Sequence, residues 1–73
     1  MNQSEVARLR EEIELQLEAM QRGLYGYASG TARHAFIRAR MDRIGEYQHT
    51  LKNYIGEKDA DQLLCSLYCE VIG

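Results

Sequence analysis

The sequence has no proline and no tryptophan, only two cysteines, and no long run of apolar residues. Without proline, no helix is forced to break at a pyrrolidine ring. Without about 18 consecutive apolar residues, no transmembrane helix is expected, and the charged start is unlike a signal peptide. Because small secreted domains usually carry more cysteines, we expect reduced thiols, a cytoplasmic location and no contact with a membrane.

The chain also lacks an excess of basic residues. Nine lysines and arginines stand against 11 aspartates and glutamates, which gives a net charge of -2. This balance is unlike that of a typical nucleic-acid-binding module. The apolar fraction of 45% is ordinary for a globular protein. At 73 residues the chain is near the size at which a single core is only just sufficient. We therefore expect one helical domain over residues 1–73.

Apolar spacing predicts an all-α fold of three helices, at about residues 4–22, 31–55 and 59–72. The glycine-rich segment 23–30 predicts the connection of an antiparallel helical hairpin, with Gly23 ending the first helix. On the first helix, apolar residues recur every three or four positions and form one face: Val6, Leu9, Ile13, Leu17, Met20 and Leu24.

Side chains at the predicted helix starts indicate how the helices are capped. Thr31 is placed to cap the second helix. Asp59 and Gln62 have the spacing of a capping box, which predicts that the third helix starts at Asp59. Gly56 is expected to end the second helix.

The second helix carries an arginine on its apolar stripe. Arg40 lies within this stripe by helical spacing. Either its stem packs while its guanidinium reaches outward, or it forms an ion pair with a glutamate of the first helix or of a second chain. Both interpretations are structural. The apolar residues of the stripe are Ile37, Met41, Ile44, Leu51 and Ile55.

The third helix is apolar around more than half of its circumference, whereas a surface helix usually shows a stripe. Because two helices of one small chain cover such an arc poorly, we predict a homodimer that completes a helical bundle. A different protein partner would explain the same surface. The residues predicted to lie near the interface are Phe36, Arg40, Tyr47, Tyr54, Leu63, Leu64, Leu67, Tyr68 and Val71.

No arrangement of residues indicates catalysis. No serine, cysteine or lysine has a base beside it in sequence, and the glycine-rich segment lacks the spacing of a phosphate-binding loop. Glu46 and His49 form an E-x-x-H pattern, but they lie opposite the apolar stripe, unlike the ligands of di-iron bundles. We therefore expect no catalytic residue, no cofactor and no metal site.

Two alternatives to a purely structural role stay open. A basic segment could contact an anion or, on a dimer, a nucleic acid. Cys65 and Cys69 are four residues apart, so two such pairs could form a metal or redox site across a dimer. The simpler interpretation treats both cysteines as small buried apolar residues. The candidate anion contacts are Thr31, Arg33, His34, Arg38 and Arg43.

These observations favour one functional class over the others. We expect a small, self-associating, non-enzymatic helical protein that acts through protein–protein interaction, as an adaptor or regulatory subunit. The expectation rests on the missing catalytic pattern and on the apolar surplus of the third helix.

Overall fold

A computed structural model of the chain describes residues 2–26 and 30–73, with side chains for residues 5–23, 30 and 32–73. The described residues contain three helices and no strand, so the predicted all-α fold is confirmed. The helices are α1 (Asn2–Gly26), α2 (Gly30–Ile55) and α3 (Glu57–Val71).

The helices α1 and α2 form an antiparallel hairpin. The Tyr47 hydroxyl donates a hydrogen bond of 3.2 Å to Glu12. Arg40 Nη1 donates one of 2.8 Å to Gln16. Glu12 thus pairs with a later residue of α2 than Gln16 does, so the two helices run in opposite directions.

The third helix packs against both arms of the hairpin and runs antiparallel to α2. At its start, Gln48 Nε2 donates a hydrogen bond of 3.2 Å to Asp61. At its end, Tyr68 lies in contact with the same surface hollow as Met41 and Met20. The three helices therefore alternate in direction along the chain and form a single bundle.

The three helices differ in length. Helix α3 has 15 residues, against 25 in α1 and 26 in α2. At about 1.5 Å per residue, α3 spans roughly 22 Å and the hairpin arms span nearly 40 Å. The molecule measures 42 × 20 × 19 Å along its principal axes. Among the described residues, α3 therefore covers only part of the hairpin's length.

The core lies along the line where the three helices meet. The predicted stripe of α1 is buried there from Leu9 to Met20. On α2 the predicted stripe is interrupted, because Met41 is 59% exposed and Gln48 is buried instead. The buried apolar residues are Leu9, Ile13, Leu17, Met20, Ile44, Leu51, Ala60 and Leu67.

A single glycine joins α2 to α3. Gly56 has a φ of 88° and a ψ of 161°, a conformation essentially restricted to glycine. Its N–H donates to Lys52 O at 3.0 Å and its C=O accepts from Ala60 N at 3.0 Å. Helix α3 thus begins at Glu57 and not at Asp59, because the Gly56 carbonyl already starts the helical hydrogen-bonding pattern.

The start of the hairpin connection also differs from the prediction. Helix α1 continues through Gly23 as far as Gly26. Gly23 is buried, and a Cβ placed on it would lie 2.5 Å from Phe36 Cε2. Gly23 therefore serves as a contact site for the Phe36 ring and does not stop the helix. Helix α2 starts at Gly30, so Thr31 lies inside it and is not its N-cap.

Replacing Gly23 with alanine should destabilise the hairpin although alanine favours helix by about 1 kcal/mol. The added methyl would overlap the Phe36 ring, and overpacking of this kind costs about 1–3 kcal/mol. We expect Gly23→Ala to lower the free energy of unfolding, measured by chemical denaturation. The matched control is Gly45→Ala, where a Cβ meets nothing within 4 Å. The control should gain up to about 1 kcal/mol. Equal gains in both variants would contradict the contact.

Candidate interaction surface

An apolar groove lies where the C-terminal end of α3 meets the hairpin. We call it the α3-end groove. It has a volume of about 160 Å³, and its lining is contributed by all three helices. A second hollow of about 110 Å³ shares Met20, Met41 and Tyr68 with it. The residues lining the α3-end groove are Met20, Ile37, Met41, Tyr68 and Ile72.

Helical spacing explains why these side chains meet. Leu64, Tyr68 and Ile72 are four residues apart, which places them in one row along α3. Ile37 and Met41 form the corresponding row on α2. The two rows face each other near the end of α3, where their side chains line the groove.

Two large apolar side chains at the groove are open to solvent. Met41 is 59% exposed and Tyr68 is 47% exposed. Single exposed apolar residues are common, but contiguous ones beside a hollow are typical of interaction surfaces. Methionine also adapts its shape to a partner, and tyrosine combines an apolar ring with a polar tip.

Polar side chains border the groove on the α2 side. His34, Arg38 and Asp42 line a shallow surface together with Ile37 and Met41. All three polar residues are exposed. An apolar centre with a charged edge resembles the usual arrangement of a protein–protein interface.

The residues of α3 that were predicted to lie near an interface differ in burial within the single chain. Leu67 is completely buried in the single chain, so it belongs to the core and is closed to a partner. Leu63, Leu64 and Val71 are partly buried against that core. Helix α3 lies against both α1 and α2, and together they cover more of its circumference than expected. In the row of Leu64, Tyr68 and Ile72, Tyr68 is exposed and the other two are half-buried.

Three other predicted interface residues join α1 to α2 within one chain. Tyr47 bonds to Glu12, and the Phe36 ring lies against Gly23. Arg40 places its guanidinium carbon 5.4 Å from the centre of the Phe36 ring. Tyr54 is 39% exposed on α2 and lines neither the groove nor the second hollow.

The partner of Arg40 distinguishes between its two interpretations. Its Nη1 donates to the neutral amide of Gln16, while its guanidinium lies over Phe36. Of the two interpretations, the ion pair with a glutamate of α1 is not among the contacts of Arg40 in the described residues, where it makes a neutral hydrogen bond and a cation–π contact.

Arg40→Met should destabilise the fold by about 1 kcal/mol, because the hydrogen bond and the cation–π contact are lost while most of the stem packing is kept. Since the partners carry no net charge, the loss should be the same at low ionic strength and at about 1 M salt. The measurement is chemical denaturation by urea at both salt concentrations. A loss that disappears in high salt would indicate an ion pair.

The candidate anion-binding residues do not share one surface. His34 and Arg38 are exposed and four residues apart, so they lie side by side. Arg43 is also exposed, but at five residues from Arg38 it lies about 140° further around the helix. Arg33 is half-buried, and the side chain of Thr31 lies outside the described residues. The described residues of this set thus present one cationic pair and not a continuous basic face.

The two cysteines are exposed, which corrects the expectation that they are buried. Both are free, and they face solvent on α3. Their spacing of four residues puts them in one row beside the row of Tyr68. Glu46 and His49 are exposed on α2, as predicted. Within the described residues, no group of three or more potential metal ligands comes together.

One buried polar residue was not identified from the sequence pattern. Gln48 is 7% exposed and lies between Ile44 and Leu51 on the α2 stripe. Its Nε2 faces the Asp61 carboxylate, which only accepts hydrogen bonds, so its Oε1 must point into the core. This oxygen has no hydrogen-bond donor among the described residues. In the sequence, its position four residues after Ile44 places it on the apolar stripe, and this spacing could have indicated its burial.

Gln48→Met should raise the free energy of unfolding by about 1 kcal/mol, because a buried oxygen without a donor is replaced by an apolar chain of similar length. The comparison variant, Asp61→Ala, should lower it, since the Gln48 amide then loses its acceptor. Thermal denaturation would measure both. A Gln48→Met variant that is less stable than the parent chain would show that Gln48 Oε1 has a hydrogen-bond donor.

The resolved pKa shifts lie at the opposite end of the hairpin from the groove. A side-chain hydrogen bond from Arg8, 2.6 Å long, lowers the pKa of Glu5. The same bond raises the pKa of Arg8. Both side chains are exposed to solvent, so this pair is a surface contact within the first turns of α1.

The chain matches no protein-family model, no curated protein and no solved structure. In the described part of the chain, no helix combines the length and the apolar character needed to span a membrane.

Proposed function

We propose that this chain is a non-enzymatic interaction protein that self-associates through the α3-end groove. The observation that carries the proposal is the pair of solvent-open apolar side chains, Met41 and Tyr68, on the rim of an apolar hollow. A groove of this kind leaves apolar area in water, and covering it is the main favourable contribution to association.

The surface of the chain is large enough to provide a dimer interface. Its accessible surface is 5047 Å². A compact monomer of this mass exposes about 4,600 Å². The excess of roughly 400 Å² matches a hairpin that extends beyond its third helix. A stable interface needs about 800 Å² from each partner, which is one-sixth of this surface, so one face of the bundle suffices.

A second copy of the chain is the occupant that fits the groove best. The groove lies between the last turn of α3 and the hairpin, and an apolar side chain of a partner can enter it. The copy supplies the same row of Leu64, Tyr68 and Ile72, in which Tyr68 is exposed and the other two are half-buried. A two-fold axis lets each copy present this row to the other, as in most small homodimers.

The experiment is light scattering coupled to size-exclusion chromatography, under reducing conditions and over a range of concentrations. We expect a dimer for the parent chain. Met41→Asp should raise the dimer dissociation constant at least about 30-fold, which corresponds to roughly 2 kcal/mol, because it places a charge in the covered groove. Met41 is exposed in the single chain, so the variant should still fold by circular dichroism.

Leu15→Asp is the matched control. Leu15 is also a large exposed apolar residue, at 47%, but it lies on α1 outside the groove. It should leave the dissociation constant unchanged. A parent chain that stays monomeric, or equal effects of both variants, would contradict self-association through this groove and leave the surface for a different protein.

The nucleic-acid alternative has a different signature. It requires binding that weakens steeply with salt and that is lost on substitution of Arg33, Arg38 and Arg43. The separation of Arg38 and Arg43 around α2 does not favour it. The same chromatography with added single- and double-stranded oligonucleotides tests it directly, and co-elution that disappears in Arg38→Ala would support it.

A further inference from the structure

We propose that the hydrogen bond between Gln48 and Asp61 sets the rotation of α3 about its own axis and so keeps Tyr68 exposed at the α3-end groove. This inference rests on the proposed function and deepens it, because it assigns two residues that position the interaction surface. It starts from the buried amide of Gln48, whose Nε2 bonds to Asp61 while its Oε1 has no donor among the described residues. A buried amide of this kind costs stability, but a polar contact at a core can select one packing over others.

The C-terminal part of α3 is most apolar on the side of Tyr68. Over residues 63–72, the two polar residues are Ser66 and Glu70, and at about 100° per residue both lie on one side of the helix. The opposite side is centred near Tyr68. From apolarity alone, this side would face the hairpin. The structure instead buries Leu67, about 100° away around the helix, and leaves Tyr68 47% exposed.

The start of α3 requires a different rotation. Asp61 lies on the side of Tyr68, about 20° from it around the helix axis. If Tyr68 turned into the core, the Asp61 carboxylate would turn inward with it, and burying an unpaired charge is costly. Glu57 lies on this side as well, but it is exposed at the first position of α3. Lys58 and Asp59 lie further around the helix and are also exposed.

At the observed rotation, Asp61 keeps its charge at the edge of the core. Its Oδ1 accepts the hydrogen bond of 3.2 Å from Gln48 Nε2 and lies 3.9 Å from Lys52 Nζ. The rest of the Asp61 side chain is open to solvent. Because α3 is a single helix, a contact that holds Asp61 at this edge also holds Tyr68 outward.

The turn before α3 does not fix this rotation. Gly56 is the only residue between α2 and α3, and a Cβ placed on it would meet nothing within 4 Å. Glycine is conformationally permissive, so the connection can accommodate another rotation. The apolar contacts do not fix it sharply either, because Leu67 is flanked by the half-buried Leu63 and Leu64. A rotation toward Tyr68 would cover Leu64 further and uncover Leu63, which exchanges one leucine for another.

The test removes both polar groups in the double variant Gln48→Leu with Asp61→Leu and uses the two native thiols as reporters. Cys65 and Cys69 are free and exposed in the parent chain. Around α3, Cys65 lies about 60° from Tyr68 and Cys69 about 100°, so a rotation that buries Tyr68 covers Cys65 first. We expect alkylation of Cys65 by iodoacetamide to slow at least about threefold, and that of Cys69 to slow less, because reactivity follows exposure. The rates are measured by mass spectrometry of labelled peptides, at a concentration where light scattering shows a monomer.

Two further measurements distinguish a positioning role from a merely stabilising one. The dimer dissociation constant should rise at least about tenfold in the double variant, since Tyr68 leaves the rim of the groove. The free energy of unfolding should not fall, because replacing both partners of a polar contact with apolar groups is close to neutral or stabilising. An ordinary stabilising contact would instead lower the free energy of unfolding and speed the alkylation of both cysteines.

Two single variants serve as controls. Asp61→Asn keeps an oxygen that accepts from Gln48 Nε2, so Cys65 should react at the parent rate. Gln62→Leu adds a leucine at the neighbouring exposed position, about 120° from Tyr68 on the outer side of α3, and should leave both alkylation rates unchanged.

Each other outcome overturns the inference. An unchanged Cys65 rate in the double variant would show that other contacts set the rotation. An equally slow Cys65 in either control would show that the hydrogen bond is not the cause. Faster alkylation of both cysteines with a lower free energy of unfolding would show a plain stabilising contact. Light scattering of the parent chain separates the two proposals, since a monomeric parent whose double variant protects Cys65 contradicts only the self-association. A dimeric parent whose double variant leaves the Cys65 rate unchanged contradicts only the positioning role.

Discussion

The difference in length between α3 and the hairpin is the constraint on which the surface depends. A helix of 15 residues lies against arms of 25 and 26. Beside the last turns of α3, Met41 of the α2 stripe is exposed while Ile37 is half-buried. The α3-end groove lies at this place. A core of this size has little reserve, so apolar surface that the chain does not cover itself favours association.

Two glycines hold this arrangement in place through different physical effects. Gly23 lacks a side chain where the Phe36 ring approaches α1, and this approach sets the spacing of the hairpin. Gly56 adopts a positive φ, which turns the chain from α2 into α3 within one residue. Because the turn is so short, α3 is held antiparallel to α2, and its position along the hairpin follows from its length.

Polar contacts give the hairpin its register. Tyr47 with Glu12 and Arg40 with Gln16 connect α1 to α2 at different heights. Gln48 with Asp61 does the same between α2 and α3. Each of these bonds is modest in energy, but a sliding of one helix by a turn would break every one of them that this helix makes. They therefore select one packing among those that the apolar stripes alone allow.

Much of the fold could be predicted from local sequence signals, and less of the candidate site. Helical periodicity identified the three helices and the buried face of α1, since a repeat of three and four residues has one structural interpretation. The end of α1 at Gly23 and the start of α3 at Asp59 were predicted less well. The sequence alone does not distinguish a glycine that ends a helix from one that contacts a neighbouring side chain, nor a capping residue from one inside the first turn. Gln48 was missed since a polar residue on a stripe was not expected to be buried.

The sequence by itself determined the helical class, the hairpin and the absence of a strongly basic composition, because these depend on local propensity, periodicity and total charge. Only the tertiary structure decided which apolar residues of α3 are covered. It buried Leu67 and exposed Tyr68, Cys65 and Cys69, although all four lie on one apolar arc. The physical reason is that burial depends on the rotation of α3 against two neighbouring helices and on where it ends, and both are set by contacts between residues distant in sequence.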